Sequence, residues 1–401
     1  MKPRRNLIQI CLLCVLMLQA FTSGAQPVTK VAGGQWHSLF LKSDGSLWGM
    51  GANNLGQLGD GTHNFNTNRP EQIVASNIVA IAAGYNHSLF LSNNGSLWGM
   101  GENNYGQLGD RTYAATNRPE QIVASNVTAI AAGDYHSLFV KSDGSLWAMG
   151  RNSSGQLGDG TYTMTNQPEQ IMASNVTAIA AGDKHSLFLK SDGSLWAMGD
   201  NEEGGLGDGT YNTTNQPEQI VASNVTAIAV WSRSYFSLFL KSDGSLWGMG
   251  ENVAGQLGNG IYNTVSPYGT NQPQQIVASG VTAIAAGVGQ SLFVKSDGSL
   301  WGMGYNSNGQ LGDGTLNSTN RPEQILAAYN QISGRLMGGT NMQLSFVGIA
   351  NAKYALDRAS SLSPPNWIPQ VTNPAGSFGA LVFTNPPDAT TNNFWRIRSV
   401  P

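Results

Sequence analysis

The recurring histidines are the first candidates for a chemical role in this sequence, because imidazole is a common metal ligand and proton carrier. Histidine occupies the same place in four copies of a repeated stretch, while Phe236 and Gln290 take that place in two further copies. The four positions are His37, His87, His136 and His185. They lie about fifty residues apart, so they would meet on one ion only in a narrow channel. We therefore expect structural histidines that fix neighbouring loops by hydrogen bonds, and no metal site.

A glycine-rich loop with one Asp or Asn offers a second candidate, a calcium site. It reads Gly56-Gln57-Leu58-Gly59-Asp60-Gly61 in the first copy, and its counterparts contain Asp110, Asp159, Asp208, Asn259 and Asp313. Calcium takes about six to eight oxygen ligands, usually from several carboxylates. A single carboxylate among glycines instead favours a turn in which the side chain bonds its own backbone and glycine supplies a positive φ.

The sequence contains no constellation typical of an enzyme. It has no nucleophile elbow, no phosphate-binding loop with a lysine and no zinc-ligand spacing. Glu202-Glu203 is the one adjacent acidic pair of note, and we expect it to be solvated rather than catalytic. The sequence predicts a protein without catalytic activity and without a cofactor; a lyase- or hydrolase-like enzyme stays as an alternative for which no residue set can be named.

The elements that position these residues are short strands in a repeat. The run Asp143-Gly144-Ser145-Leu146-Trp147 recurs in close copies, and its tryptophans are Trp48, Trp98, Trp147, Trp196, Trp247 and Trp301. In the third copy, strands are predicted over 127–132, 137–141 and 146–149, with an edge strand opened by proline over 168–173. Asp143-Gly144 predicts a two-residue type I′ hairpin turn. Four short strands in about fifty residues are typical of a propeller blade.

The hairpin strands are apolar on both faces. Leu138 and Val140 point to one side of the sheet and Phe139 points to the other. A sheet with one wet face would alternate with polar residues, so we expect each sheet to be sandwiched between two others.

Three motifs of the third copy together resemble the repeat of the regulator-of-chromosome-condensation family of β-propellers. They are Gly133-Asp134-Tyr135-His136-Ser137, Asp143-Gly144-Ser145-Leu146-Trp147 and Asn152-Ser153-Ser154-Gly155-Gln156-Leu157-Gly158-Asp159-Gly160. The resemblance covers about residues 28–327. It implies an all-β fold, a regulator-of-chromosome-condensation-like β-propeller, which in this family usually has seven blades.

The clear copies number six, over 28–77, 78–126, 127–175, 176–224, 225–280 and 281–330. Residues 331–355 are either a degenerate seventh blade, in which Ile332, Gly338-Gly339 and Leu344-Ser345-Phe346 echo the repeat, or the start of a separate domain. We favour a propeller of six repeats over 26–330 and a small β-sandwich-like C-terminal domain over 331–401. That tail resembles the immunoglobulin- or fibronectin-like modules that close many large exported bacterial proteins.

The first residues predict export. Lys2, Arg4 and Arg5 precede an apolar run over 7–21, and Ser23-Gly24-Ala25 supplies small residues for cleavage. Residues 1–25 are therefore predicted to be a signal peptide, too short in its apolar run for a stable membrane helix. We expect a secreted, periplasmic or cell-surface protein. Removal of the signal peptide leaves 18 of the 21 basic residues against 24 acidic ones. The resulting net charge of −6 opposes nucleic-acid binding.

Positions at which the copies differ indicate a binding face, because packing does not dictate the residue there and loops on a rigid scaffold commonly bind. The candidate residues are Trp36, Tyr85, Tyr105, Tyr135, Lys184, Trp231, Arg233 and Tyr235. The fifth copy also has an insertion over 262–270, the first choice for a partner contact. Drift after duplication is the alternative explanation of this variation.

The favoured hypothesis is a monomeric, exported, non-enzymatic scaffold that binds a protein or other macromolecule through one loop face. The family resemblance implies an alternative, nucleotide exchange on a small GTPase, which the export signal and negative charge oppose. An inhibitor of a secreted enzyme is a further alternative, since secreted β-lactamase-inhibiting propellers resemble this repeat.

Overall fold

The computed structural model describes residues 26–231, 235–326, 332–337, 341–347, 353–359, 367–374, 380–385 and 394–400. Every regular element in these ranges is a β-strand, which confirms the all-β prediction. Among these residues there is no helix with the length and apolarity to cross a membrane. The predicted signal peptide, residues 1–25, lies outside the described residues.

The described chain forms two compact units. The first comprises residues 26–153 and 159–181, and the second comprises 154–158 and the described residues from 182 onward. Apart from the short segment 154–158, the chain passes from the first unit to the second within its fourth repeat.

The first unit holds the strands of three repeats and the first strand of the fourth. In each of the three repeats, four strands pair in chain order into an antiparallel sheet. The strands are β1 (Val28–Gly33), β2 (His37–Lys42), β3 (Leu47–Ala52) and β4 (Asn66–Val74); β5 (Ile78–Ala83), β6 (His87–Ser92), β7 (Leu97–Gly101) and β8 (Thr116–Val123); β9 (Val127–Ala132), β10 (His136–Lys141), β11 (Leu146–Gly150) and β12 (Thr165–Met172); and β13 (Val176–Ala181).

The second unit holds the rest of the fourth repeat, two further repeats and the C-terminal strands. The repeat strands are β14 (His185–Lys190), β15 (Leu195–Gly199) and β16 (Thr214–Val221); β17 (Val225–Ala229), β18 (Phe236–Lys241), β19 (Leu246–Glu251) and β20 (Gly269–Val277); and β21 (Val281–Ala286), β22 (Gln290–Lys295), β23 (Leu300–Gly304) and β24 (Thr319–Leu326). The fifth and sixth repeats each form one antiparallel four-stranded sheet in chain order.

The C-terminal strands pair with one another. They are β25 (Ile332–Met337), β26 (Asn341–Val347), β27 (Lys353–Ala359), β28 (Ile368–Pro374), β29 (Ala380–Asn385) and β30 (Phe394–Val400). β26 lies between β25 and β29 in one three-stranded sheet, and β27 lies between β28 and β30 in another. Gly338-Gly339, part of the proposed echo of a seventh blade, lies outside the described residues. The domain boundary at residue 331 stays a prediction.

The hairpin of the third repeat is buried on both faces, as expected. Phe139 pairs with Trp147 across the two strands, with their rings stacked at a centroid distance of 6.1 Å. Leu138 and Phe139 point to opposite faces, and both are fully buried. Two-sided burial of this kind requires a neighbour on each side of the sheet.

The hairpin turn differs from the predicted type. The amide of Gly144 donates to the oxygen of Lys141 (2.9 Å), and the amide of Lys141 donates to the oxygen of Ser145 (3.0 Å). Gly144 has a φ of +77°, whereas Asp143 is not among the positive-φ residues. The predicted two-residue type I′ turn is therefore wrong, and the loop has three residues, a type I turn followed by a left-handed glycine. The Asp143 carboxylate accepts hydrogen bonds from the Ser145 amide (2.9 Å) and hydroxyl (2.6 Å), which stabilises this geometry.

The fourth strand begins earlier than predicted. β12 runs over Thr165–Met172, so Pro168 lies inside the strand instead of opening it. The pairing with β11 shifts register between Ala148 and Gly150, and Pro168 falls in that irregular stretch, where a missing N–H is tolerated. The strand lies at the edge of its sheet, as expected.

Neighbouring repeats within a unit pack through two kinds of apolar face. We call the trailing face of a repeat the side that carries Leu89, Leu91 and Leu97 in the second repeat, and the leading face the opposite side. The leading face of the third repeat presents Phe139 and Met149 to that trailing face, and all five side chains are buried in one cluster. The same joint forms in the second unit between the fifth and sixth repeats.

Glycine permits the close approach of one repeat to the next. At Gly106, where φ is +81°, an added Cβ would lie 2.5 Å from the Cα of Asn166 and 2.6 Å from the oxygen of Thr165. Both of these atoms belong to the backbone of the following repeat, so no small side-chain movement could make room.

Candidate functional site

The two loops that differ most among the copies lie at one end of each sheet, which we call the loop end. One loop joins the first and second strands of a repeat, and the other joins the third and fourth. Backbone hydrogen bonds hold the two together, as from the Glu102 amide to the Asn86 oxygen (2.9 Å) and from the Arg151 amide to the Tyr135 oxygen (2.8 Å). The strands of each sheet therefore fix both loops on a rigid base.

Three tyrosines and one arginine of the first unit meet at the loop end. The Tyr135 ring lies 5.2 Å from the Tyr85 ring and 4.9 Å from the Tyr105 ring, measured between centroids. The Arg151 guanidinium lies 5.6 Å from the Tyr105 centroid and 5.8 Å from the Tyr135 centroid, within cation–π range. We call these four residues the tyrosine–arginine patch. All four are half-buried, so each keeps a surface for a partner.

A buried carboxylate lies next to the tyrosine–arginine patch. Glu102 is 7% exposed, and its two oxygens accept hydrogen bonds from the side-chain amides of Asn86 and Asn104, each at 3.1 Å. Burial, and after it the negative charge of Glu102, raises the pKa of Tyr135 to about 12. The Tyr135 hydroxyl therefore stays protonated at neutral pH and can donate a hydrogen bond.

Trp36 stands at the loop end of the first repeat. It is 65% exposed, and its backbone oxygen accepts a hydrogen bond from the Ala52 amide (2.8 Å). Among the described residues, no ring contact joins Trp36 to the tyrosine–arginine patch.

The second unit has its own group of loop-end residues. The Tyr235 hydroxyl donates to the Asp183 carboxylate (3.2 Å), and the Lys184 ammonium lies 5.5 Å from the Tyr235 centroid and 3.9 Å from the Asp200 carboxylate. Burial, followed by the charge of Asp183, raises the pKa of Tyr235. Burial acts to lower the pKa of Lys184, but Tyr235, Asp183 and Asp200 together outweigh it and raise that pKa. Trp231 is half-buried, and Arg233 lies outside the described residues.

Comparison of the repeats within the sequence did not identify several residues of these two loop-end groups. Glu102, Arg151 and Asp200 each follow the last glycine of the third strand, where the other copies have Ala52, Glu251 and Tyr305. This position varies as strongly as the tyrosine positions do. Comparing the copies at this position would have identified the charged residues of both groups.

Hydrogen bonds join the insertion of the fifth repeat to other residues of the second unit. The Tyr268 amide donates to the Glu203 carboxylate (2.6 Å), and the Tyr262 hydroxyl donates to the Ser318 oxygen (3.2 Å). Its most exposed apolar side chain is Val265, at 77%. The insertion therefore presents a fixed surface with an apolar tip.

The repeated histidines join neighbouring repeats. The Nε2 of His87 lies 3.0 Å from the Oγ of Ser137 in the next repeat, and that hydroxyl donates back to the oxygen of Gln107 (2.7 Å). His37 contacts Ser88 in the same way (2.9 Å), as His185 contacts Ser237 (3.0 Å). Burial lowers the pKa of His87 to about 3, with a smaller contribution from His37, so its imidazole is neutral in the fold.

The glycine-rich loops are closed by their own side chains. The Asp60 carboxylate accepts hydrogen bonds from the Thr62 amide (2.8 Å) and from the side-chain amide of Asn53 (2.9 Å). The Asn53 oxygen in turn accepts the Leu58 amide (3.0 Å). Within the described ranges, no cluster of three or more His, Cys, Asp and Glu residues could hold a metal ion.

Comparison with known proteins places this geometry in a family. The model of the RCC1-like domain matches residues 16–270, and models of the regulator of chromosome condensation (RCC1) repeat match 297–334 and 281–310. Over 113 residues the chain is 31% identical to the human E3 ubiquitin-protein ligase HERC2, and the mouse protein matches equally well. That stretch is 28% of this chain and 2% of the ligase, so the chain spans a small fraction of these relatives.

Solved structures of two proteins share the fold. Human WBSCR16 superposes with a TM-score of 0.66 at 24% identity, covering 77% of this chain and 84% of that one. Yeast RCC1 (Prp20) bound to Kap60 gives 0.66 at 22% identity, covering 78% of each chain. Prp20p from Saccharomyces cerevisiae gives 0.66 at 23% identity, covering 77% and 79%. At these identities the likeness establishes the fold, which confirms an RCC1-like β-propeller. Because the family model matches more than half of its length, the chain belongs to the RCC1-like domain family.

Proposed function

We propose that this protein is an exported, non-enzymatic scaffold that binds a protein partner through the loop end of its first unit. The observation that carries the proposal is the tyrosine–arginine patch. Tyrosine and arginine are the residue types that dominate the energetics of protein interfaces. Here their side chains contact one another, with tilted rings, so little side-chain freedom is lost when a partner binds.

The charge of the patch indicates the chemistry of the partner. In the part of the chain that the structure describes, the ion pairs are Lys184 with Asp200 and Arg396 with Asp357, so no carboxylate there pairs with Arg151. The Arg151 Nε donates to the Ser153 hydroxyl (2.9 Å), which leaves the other N–H groups of the guanidinium for a partner. We infer that the partner presents an Asp or Glu beside an apolar side chain that packs on the tyrosines.

Relatives support a protein partner in general. The structure of yeast Prp20p is described together with its binding to Gsp1p and histones, and that of yeast RCC1 contains Kap60. These partners belong to the yeast protein. Exchange activity on a GTPase is the alternative for this chain, and stimulated nucleotide release from a purified small GTPase would support it over the scaffold.

Affinity capture tests the proposed function. The purified protein, immobilised as bait, is incubated with the exported fraction of its source cell, and bound proteins are quantified by mass spectrometry. Tyr135→Ala and Arg151→Ala should each lower recovery of the partner by about tenfold or more, since a central anchor of an interface contributes about 2 kcal/mol. Tyr262→Ala, which removes a tyrosine from the insertion, is the control. Equal recovery with all three variants would contradict the assignment of this face.

The proposed location is tested separately. If residues 1–25 direct export, the protein recovered from cells should begin at Gln26 and lie in the exported fraction. A chain that retains Lys2, Arg4 and Arg5 in the cytoplasm would contradict export and would leave the binding face as a property of an intracellular protein.

A further inference from the structure

The hairpin turn of the second repeat differs from its five counterparts. In the other repeats the turn reads Lys-Ser-Asp-Gly-Ser without exception, beginning at Lys42, Lys141, Lys190, Lys241 and Lys295. The second repeat has Ser92-Asn93-Asn94-Gly95-Ser96 instead. The runs on either side, 87–91 and 96–101, match 37–41 and 46–51 of the first repeat residue for residue. The change is therefore confined to three positions, and it removes one positive and one negative charge.

The lysine of the common turn covers a tryptophan. In the first repeat the Lys42 ammonium lies 3.8 Å from the centroid of the Trp48 ring, a cation–π contact. The same contact, at 3.9 to 4.3 Å, occurs in the third to sixth repeats. Among the described residues, no cation lies over Trp98, the counterpart in the second repeat. Ser92 is too short to reach that ring, and its hydroxyl donates to the side-chain oxygen of Asn94 (2.5 Å). The second repeat therefore leaves open a tryptophan face that the other five repeats cover.

A pocket lies beside this tryptophan. Its volume is about 370 Å³, within the range of about 300–1,000 Å³ that is usual for ligand sites. The apolar part of its wall consists of Val74, Phe90, Trp98 and Pro119. The Trp98 ring is stacked against the Phe90 ring at a centroid distance of 6.1 Å, and its indole N–H donates to the Ser96 hydroxyl (2.9 Å). The ring is thus held in place by residues of the first unit alone.

Side-chain amides form the polar part of the wall. The Asn93 amide group donates to the side-chain oxygen of Asn77 (3.2 Å). The Asn94 oxygen accepts the backbone amide of Ser96 (3.0 Å), and in the described part of the chain the side-chain N–H groups of Asn94 have no acceptor. None of the residues that line the pocket is charged. The wall therefore offers neutral donors and acceptors beside an open aromatic face.

We propose that this pocket binds a neutral carbohydrate, with one sugar ring packed on the open face of Trp98 and its hydroxyl groups bonded to Asn93 and Asn94. The C–H groups of a pyranose ring carry a small positive charge, which suits the electron-rich face of an indole. A cationic ligand fits less well, because the turn has also lost the carboxylate that Asp44 provides in the first repeat. The pocket lies at the opposite end of the sheet from the loop end, so this inference does not depend on the proposed function.

Saturation-transfer-difference NMR provides the test, because it detects weak binding of small sugars. The probes are the methyl glycosides of glucose, galactose, mannose and N-acetylglucosamine, and tetramethylammonium is the cationic comparison. Wild type should saturate the ring C–H signals of at least one glycoside and should bind tetramethylammonium more weakly.

A variant that restores the common residue closes the site. Ser92→Lys should lower the affinity for the glycoside at least about tenfold, because the new ammonium would cover the Trp98 face as Lys42 covers Trp48. Lysine already occupies this place in the same surroundings in the first repeat, so the variant should keep its fold, and thermal unfolding followed by circular dichroism verifies this.

A matched pair of tryptophan variants locates the sugar. Trp98→Ala should also lower the affinity at least about tenfold. Trp147→Ala removes the corresponding ring of the third repeat, which Lys141 covers, and should leave the affinity unchanged.

Three outcomes would overturn the proposal. If wild type saturates none of the four glycosides, the pocket is not a sugar site. Binding that is equally strong in Ser92→Lys would place the sugar elsewhere on the protein. Binding of tetramethylammonium without any glycoside would show that the open tryptophan takes a cation.

Discussion

The buried histidines make the stability of the fold depend on pH in a way that one substitution can isolate. His87 is fully buried, and burial lowers its pKa to about 3 from an ordinary value of 6.5. At pH 7.5 its imidazole is neutral in both the folded and the unfolded chain. As the pH falls below 6.5, the unfolded chain takes up a proton that the folded chain does not, so the free energy of unfolding decreases.

The size of this effect follows from the two pKa values. At pH 5 the unfolded state is favoured by about 2 kcal/mol through this one group, relative to pH 7.5. His87→Gln removes the effect, and glutamine already occupies this place in the sixth repeat as Gln290. The variant loses the hydrogen bond to Ser137, worth about 1 kcal/mol. We therefore expect the variant to be about 1 kcal/mol less stable than wild type at pH 7.5 and about 1 kcal/mol more stable at pH 5.

Urea unfolding followed by tryptophan fluorescence, at several pH values between 7.5 and 5.0, measures the crossing of the two stability curves. All other titrating groups are common to both proteins and cancel in the difference. Ser137→Ala is the control, because it breaks the same hydrogen bond but keeps His87, so its curve should run parallel to that of wild type. Parallel curves for His87→Gln and wild type would refute a buried, neutral imidazole.

Three further pairs of substitutions test the packing and the hairpin turn. Gly106→Ala should lower the free energy of unfolding by about 2 kcal/mol more than Gly309→Ala, because both have positive φ but only the first meets the backbone of a following repeat. Met249→Ala should cost about 2 to 5 kcal/mol, whereas Met50→Ala, at a partly exposed position, should cost under about 1 kcal/mol. Asp143→Ala should cost about 1 kcal/mol through the lost turn hydrogen bonds, and Asp143→Asn should cost less than about 0.5 kcal/mol, since the amide oxygen still accepts them. Urea unfolding at neutral pH measures all of these, and equal costs within any pair would contradict the explanation given for it.

Much of the fold could be predicted because the same pattern of apolar and turn residues occurs six times in the sequence. The recurring tryptophan fixed the period, and apolar residues on both faces of 137–141 required sheets on both sides. The hairpin turn was mispredicted because the side chain of Asp143, rather than the Asp-Gly pair alone, decides its geometry. The prediction began the strand too late, at Pro168, because a register shift accommodates proline inside an edge strand.

The candidate site was predictable in part. Variation among otherwise similar loops indicated Tyr85, Tyr105 and Tyr135, but their ring contacts and the position of Arg151 depend on how adjacent repeats approach. The exposure of Met50 could not be predicted at all. Met50 and Met100 occupy the same place in nearly identical runs, and only their positions in the array determine that one is exposed and the other buried.

Hydrogen–deuterium exchange on the captured complex tests the central claim most directly. If the loop end of the first unit is the binding face, the partner should slow amide exchange over 84–86, 102–105, 133–135 and 151–153. The opposite end of the same sheets, over 43–46, 93–96 and 142–145, should exchange at the rate of the free protein. Protection confined to those hairpin turns, with the tyrosine loops unchanged, would contradict the account.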